Sequence, residues 1–226
     1  MAGGAGCPAH DLGAAAGAAP RRQHAQKKSL LAAARDEPAR AAWCAAAAAR
    51  DPGDRVFLDE TARHVAMAPR YGRAPRGERV YGAVPRNRGR DTTLIAALSV
   101  GGIGAAMTIA GALDGAAFVA SVRAFPAPTL RPGQSVILDN LAVHKAAAAR
   151  ALVEARGCRR RCLPASSPDF NPIEQAFSKR KAQLRRAGAR AREPALAAAL
   201  DAITASDAHG WFRHGGYPPH EAQPLC

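Results

Sequence analysis

Apolar residues are spaced unevenly along this chain, and their spacing predicts short buried strands alternating with amphipathic helices. Two compact runs, RVFLDE (55–60) and SVILDN (135–140), are dense in large and branched side chains and turn acidic at their ends. Runs of this kind read as strands buried on both faces. TTLIAALS and AAMTIAG flank Val100-Gly101-Gly102-Ile103-Gly104, a pattern that predicts a hairpin. In DGAAFVASVRAF, Phe118, Val122 and Phe125 recur at helical spacing behind Asp114, which is placed to cap the helix. HKAAAARALVEARG predicts a further helix stopped at Gly157, and a short strand at 158–163 precedes the turn SSPDFNP. IEQAFSKRKAQLRRA then predicts a strongly periodic helix, with Ile173, Phe177 and Leu184 inward and its lysines and arginines outward.

The remaining segments pattern differently. Residues 1–28 are Gly/Ala-rich with almost no large apolar side chain, which predicts a low-complexity, disordered arm. Residues 29–53 read as a helical linker, interrupted by Pro38 and ended by Asp51-Pro52-Gly53. Between 62 and 90 lie Arg/Gly/Pro turns with two tyrosines among the arginines. The main domain covers 54–217 and leaves a tail at 218–226. Its order of strand, hairpin, helix, strand, helix, strand, helix predicts an α/β domain with a mixed rather than all-parallel sheet.

Composition sharpens this picture. The 48% hydrophobic content overstates the core, because much of it is alanine and only 5% of residues are aromatic. A net charge of +14, dominated by arginine, points to a polyanionic partner, nucleic acid being the simplest. The plain alternative for the Ala/Arg/Gly bias is a GC-rich coding genome. The five cysteines form no regular framework, which argues against a disulfide-stapled secreted domain. No apolar run reaches the ~18 residues of a membrane span, so a soluble, cytoplasmic protein with no membrane partner is expected. Among the cysteines, Cys158 and Cys162 with His209 and His214 mimic zinc-ligand spacing, but the long interval reads as coincidence. No Gly-rich phosphate loop of either common type is present, which argues against nucleotide-dependent and dinucleotide redox chemistry.

Three acids carry the candidate chemistry. Asp59 and Asp139 each end a predicted strand, and Glu174 follows Pro172 in the first turn of a helix. Each alone reads equally as a turn cap, a helix cap or a dipole partner. Together they are the oxygen ligands that hard divalent cations require. Two such cations can activate an attacking water or hydroxyl and stabilise the leaving oxygen of a phosphodiester.

The motifs SVILDNLAVHK and LPASSPDFNPIEQAFSKRK, with LDET upstream, resemble the DDE transposases of the mariner-like superfamily, in its bacterial insertion-sequence branch. The resemblance runs from about Lys27 to Tyr217 and implies an RNase H-like mixed five-stranded sheet flanked by helices. It implies Asp59, Asp139 and Glu174 as the catalytic, metal-holding acids. It further implies two Mg²⁺ ions, with Mn²⁺ able to substitute, and DNA as partner, both transposon ends and target. A homodimer assembled on DNA and a nucleoid-associated location belong to the same expectation. Beside the acids, Asn140, His144 and Asn171 are candidates for orienting ligands, the plain alternatives being caps and turn-shaping contacts. Glu60 would point to the opposite face from Asp59 and is left out of the metal set. Arg70, Arg73, Arg76, Arg79, Lys179, Arg180 and Lys181 are candidate backbone-phosphate contacts, with a solvated charge as the alternative at each.

The chain also departs from the family pattern. No helix-turn-helix region is evident ahead of the catalytic part, which suggests a split element with a separately encoded fragment, or a truncated relic. Ala62 stands where an aromatic is common, and Ser166 replaces a tyrosine. Arg159, Arg160 and Arg161 occupy a segment expected to be an apolar core strand, where unpaired arginine is costly. Two other readings therefore stand beside the transposase: a related RNase H-like nuclease or integrase, and an inactive remnant that only binds DNA.

Overall fold

The computed structural model of the chain describes residues 32–63, 71–82, 92–187 and 198–218. The predicted arm at 1–28, Arg70 and most of the tail lie outside the described residues. Five strands form one sheet: β1 (Arg55–Arg63), β2 (Thr92–Ser99), β3 (Gly102–Ala110), β4 (Ser135–Leu138) and β5 (Arg159–Cys162). Their spatial order is β3-β2-β1-β4-β5. β1, β2 and β3 pair antiparallel, whereas β4 runs parallel to β1, and β5 parallel to β4. This is the mixed five-stranded sheet, flanked by helices, of an RNase H-like fold. The β2–β3 hairpin turns at Gly102, whose φ of 110° suits glycine.

The apolar runs of β1 and β4 cover two cores because alternate residues face opposite sides. On one face, Phe57 and Ile137 pack with Trp43 of α1 (Glu37–Ala48) and with Phe177 and Phe212 of two later helices. On the other face, Leu58, Val136 and Leu138 meet Phe118 and Val122 of α2 (Gly115–Ala124), together with Val153. Following α2 are the short α3 (Pro126–Thr129), α4 (Ala147–Glu154), the long α5 (Pro172–Ala187) and α6 (Ala205–His214). Val153 belongs to α4, Phe177 to α5 and Phe212 to α6. Asp114 caps α2 through the Ala117 amide at 2.7 Å, as its position predicts. Among the described residues no helix is long and apolar enough to cross a membrane.

Three expectations need correction. Pro38 opens α1 rather than interrupting it: the helix begins at Glu37, with Asp36 capping the Ala39 amide at 2.9 Å. Proline is tolerated there because first-turn amides have no intrahelical partner. The arginines of β5 do not burden a core strand, because β5 is the outermost strand of the sheet. Arg159 is exposed, the half-buried Arg160 donates to the His144 carbonyl, and Arg161 stacks over the Trp43 ring at 5.0 Å. Nor do all cations of α5 face outward, since Arg180 is fully buried. Of the described cysteines, Cys44 is disulfide-bonded, a bond the scattered spacing did not signal, and Cys158 and Cys162 are free thiols.

Candidate active site

The parallel strands β1 and β4 both run toward one end of the sheet, and the sequence acids gather there. Asp59 lies on β1, in the middle of the sheet, only 5% exposed. Its Oδ2 accepts a hydrogen bond from Asn171 Nδ2 at 2.7 Å, and its Oδ1 accepts the Glu60 amide at 2.7 Å. Asn171 therefore does more than shape its turn. It ties the SPDFNP segment to the strand carrying the first acid.

Burial raises the Asp59 carboxyl to about 7, opposed by the Glu60 amide and reinforced by the charges of Glu60, Glu174 and Asp139. Asp59 thus feels the charges of both other sequence acids. Asp139, just beyond β4, has a different environment. It accepts the Leu141 amide at 3.0 Å and a short hydrogen bond with His144 Nδ1. Burial alone would raise its carboxyl, but the His144 and Leu141 hydrogen bonds outweigh that and hold it below the usual range.

His144 is completely buried against the Phe118 ring, 4.7 Å between centroids. Its Nε2 reaches Glu60 Oε2 at 2.8 Å, so one imidazole bridges Asp139 to Glu60. Burial would lower its pKa, yet hydrogen bonds and charge from the two carboxylates carry it up to about 9. Glu60 does lie on the strand face opposite Asp59, and it still joins the acid group through this histidine. Sequence reasoning missed that partnership. Nothing in the local spacing signals it, because the two residues lie 84 positions apart.

Glu174 sits exposed in the first turn of α5, where its amide bonds the Asn171 carbonyl at 3.1 Å. Together with Asp139, Asn140 and Asn171 it lines a cleft of about 280 Å³, whose opposite wall is the 163–168 segment. Asp59 is not among the residues that line this cleft. Among the described residues, no three acidic, histidine or cysteine groups form a ready-made metal cage. The donor set nevertheless fits a hard divalent cation: it is all oxygen, and a buried carboxylate crowded by like charges is what a cation would relieve. The turn bearing Asn171 is anchored from outside by Arg40, which grips Asp169 through two hydrogen bonds of 3.0 and 2.6 Å and lies over the Phe170 ring at 4.0 Å.

The candidate phosphate contacts divide. Arg73, Arg76 and Arg79 are exposed on the described segment 71–82, flanked by the exposed Tyr71 and Tyr81. Arg180 is buried beside Phe177 and offers no surface charge, which corrects its place among them. Lys179 is engaged with Asp207 at 2.5 Å, and Lys181 is half-buried.

Comparison with known proteins agrees with this architecture. A family described as DDE superfamily endonuclease matches residues 54–194. No curated protein matches the sequence. Among solved structures, the pre-cleavage Mos1 transpososome aligns with a TM-score of 0.65 at 16% identity, over 87% of this chain and 64% of that one. The Mos1 mariner paired end complex with Mn aligns with a TM-score of 0.64 at 19% identity, over 88% of this chain and 64% of that one. The Mos1 transposase catalytic domain with Raltegravir and Mg gives a TM-score of 0.53 at 16% identity, over 80% of this chain and 87% of that one. At such identities the likeness is one of fold. The chain spans just under two thirds of the Mos1 chains in the DNA assemblies.

Proposed function

This chain belongs to the DDE superfamily of endonucleases, and on that premise we propose that it is the catalytic domain of a transposase. In this reading it cuts DNA at transposon ends and joins the freed 3′-hydroxyl to target DNA, with Mg²⁺ or Mn²⁺ bound by Asp59, Asp139 and Glu174. The observation that carries the proposal is the buried Asp59, bonded to Asn171 of the third motif while the charges of Asp139 and Glu174 act on it.

When bound, the cations supply Lewis acidity that activates the attacking oxygen and stabilises the leaving one. The chain's own residues do the rest. Asn171 fixes one oxygen of Asp59, and His144 turns Asp139 by its Nδ1 while anchoring to Glu60 by its Nε2. Glu174 completes the set from the rim of the cleft. Because Asp59 must be ionised to act as a ligand, cation binding competes with its proton near pH 7. The 163–168 wall and Asn140 leave room for a backbone phosphate at the mouth of the cleft.

Recognition of specific ends belongs, in this proposal, to a helix-turn-helix fragment supplied separately, and assembly on DNA to a homodimer. An origin in a bacterial insertion sequence and a nucleoid-associated location complete the proposal. The test is a Mg²⁺-dependent nicking and strand-transfer assay on duplex DNA, comparing the chain with Asp139→Ala. Metal-dependent products that fall at least ~1,000-fold in the variant support the reading. Nicking without joined products would favour a plain nuclease, and metal-independent binding with no cleavage a DNA-binding remnant.

A further inference from the structure

We propose that an arginine-lined groove along the outer edge of β5 is a second DNA contact, holding backbone phosphates outside the acid cleft. The groove encloses about 550 Å³ and takes its walls from three elements. The turn after α1 contributes Arg50, α4 contributes Arg150 and Glu154, and β5 contributes Arg159, Arg160 and Arg161. Five guanidiniums thus face one carboxylate, and Arg150 Nε already binds that carboxylate at 2.7 Å. Arg160 and Arg161 are held in place by the His144 carbonyl and the Trp43 ring. Arg50 and Arg159 are exposed.

Charges on an edge strand ordinarily serve to block pairing with another sheet. That purpose accounts for arginine on β5, but not for Arg50 and Arg150 converging on the same groove from the turn after α1 and from α4. Planar guanidiniums take phosphate oxygens two at a time, so a cluster of them in a concave setting suits a phosphate chain. An acidic polypeptide carries the same sign of charge. Two observations favour DNA: the chain's net charge of +14, and the direction of β5. The strand leads from Arg159 in the groove to Leu163, which lines the acid cleft. Four residues of strand span about 13 Å, close to four base pairs of duplex at ~3.4 Å each. A duplex seated in the groove would therefore continue toward the acids. The inference rests on reading the acid cleft as a site of DNA cleavage.

The test is a salt titration of fluorescent duplex DNA binding to the full chain, in chelator so that no cutting occurs. The double variant Arg50→Gln/Arg159→Gln is compared with a control, Arg123→Gln/Arg131→Gln, which removes the same charge from exposed positions elsewhere. Each phosphate contact contributes ~0.9 to the slope of log affinity against log salt. The groove variant should lose about 2 from that slope and at least ~10-fold in affinity near physiological salt, with the control unchanged. An unchanged slope, or an equal loss in the control, overturns the proposal. If binding of polyglutamate rather than DNA is what the groove variant loses, the occupant is an acidic polypeptide and the proposal also fails. Groove-dependent DNA binding by a chain that never nicks would leave this inference standing and defeat the enzymatic reading. Nicking by a chain whose slope ignores the groove would do the reverse.

Discussion

The β1 side and the β4 side of the acid cleft hold their aspartates in opposite ways. Asp59 is buried, surrounded by other carboxylates, and keeps its proton up to about pH 7. Asp139 is half-buried beside His144, which holds its proton up to about pH 9, so that Asp139 stays ionised. Two carboxylates on adjacent parallel strands, Asp59 within β1 and Asp139 just past β4, thus meet different fates, decided by which neighbour each can reach. The lesson is that neighbouring strands bring the two acids to one place, while the side chains around each set its charge.

The largest expected effect comes from removing the cation of the β4 side. His144→Ala leaves Asp139 and Glu60 without the group that bridges them, a loss of about 3–5 kcal/mol for a broken buried pair. Urea unfolding at pH 7 measures it, and a change below about 1 kcal/mol would mean that the bridge is incidental.

Next in size is the β1 side. Below pH 3.8 Asp59 is protonated whether folded or not. As pH rises through about 7 its raised folded value costs stability that is not recovered. His144 adds a second window: its contribution is complete below 6.5 and lost as pH rises through about 9. The metal-free protein should therefore lose thermal stability steadily from pH 4 to pH 9. Asp59→Asn should stabilise it at pH 8 by on the order of 3 kcal/mol and much less at pH 4. Equal effects at both pH values would contradict the assignment.

A smaller effect is expected one step further from the acids. Arg40→Ala releases Asp169, and with it the turn that presents Asn171 to Asp59, at a cost of about 2 kcal/mol. Calorimetric melting checks this, and Arg40→Lys should recover only part of the loss because lysine cannot match the two-point grip.

Much of this arrangement was legible in the residues. The apolar runs at 55–60 and 135–140 mark central strands because burial on both faces leaves no room for alternation. The acids that end them, and Glu174 behind Pro172, follow from the same local reading. What escaped were relations between distant segments. Arg159–Arg161 look like a fault in a core strand until β5 is known to be the sheet's edge. Arg180 belongs to a helix face that looks polar, yet the face is covered. The Glu60–His144 bridge joins residues 84 positions apart, and spacing along a chain says nothing about such a pair.

The most direct test of a cation site at the cleft is a carbon-13 NMR titration of the Asp59 carboxyl, with and without saturating Mg²⁺. Without the ion the carboxyl should titrate near 7. With it, the midpoint should fall by more than about one unit, as a bound cation replaces the proton. A midpoint unmoved by Mg²⁺ would mean that Asp59 holds no ion, and the three acids would not be a metal site.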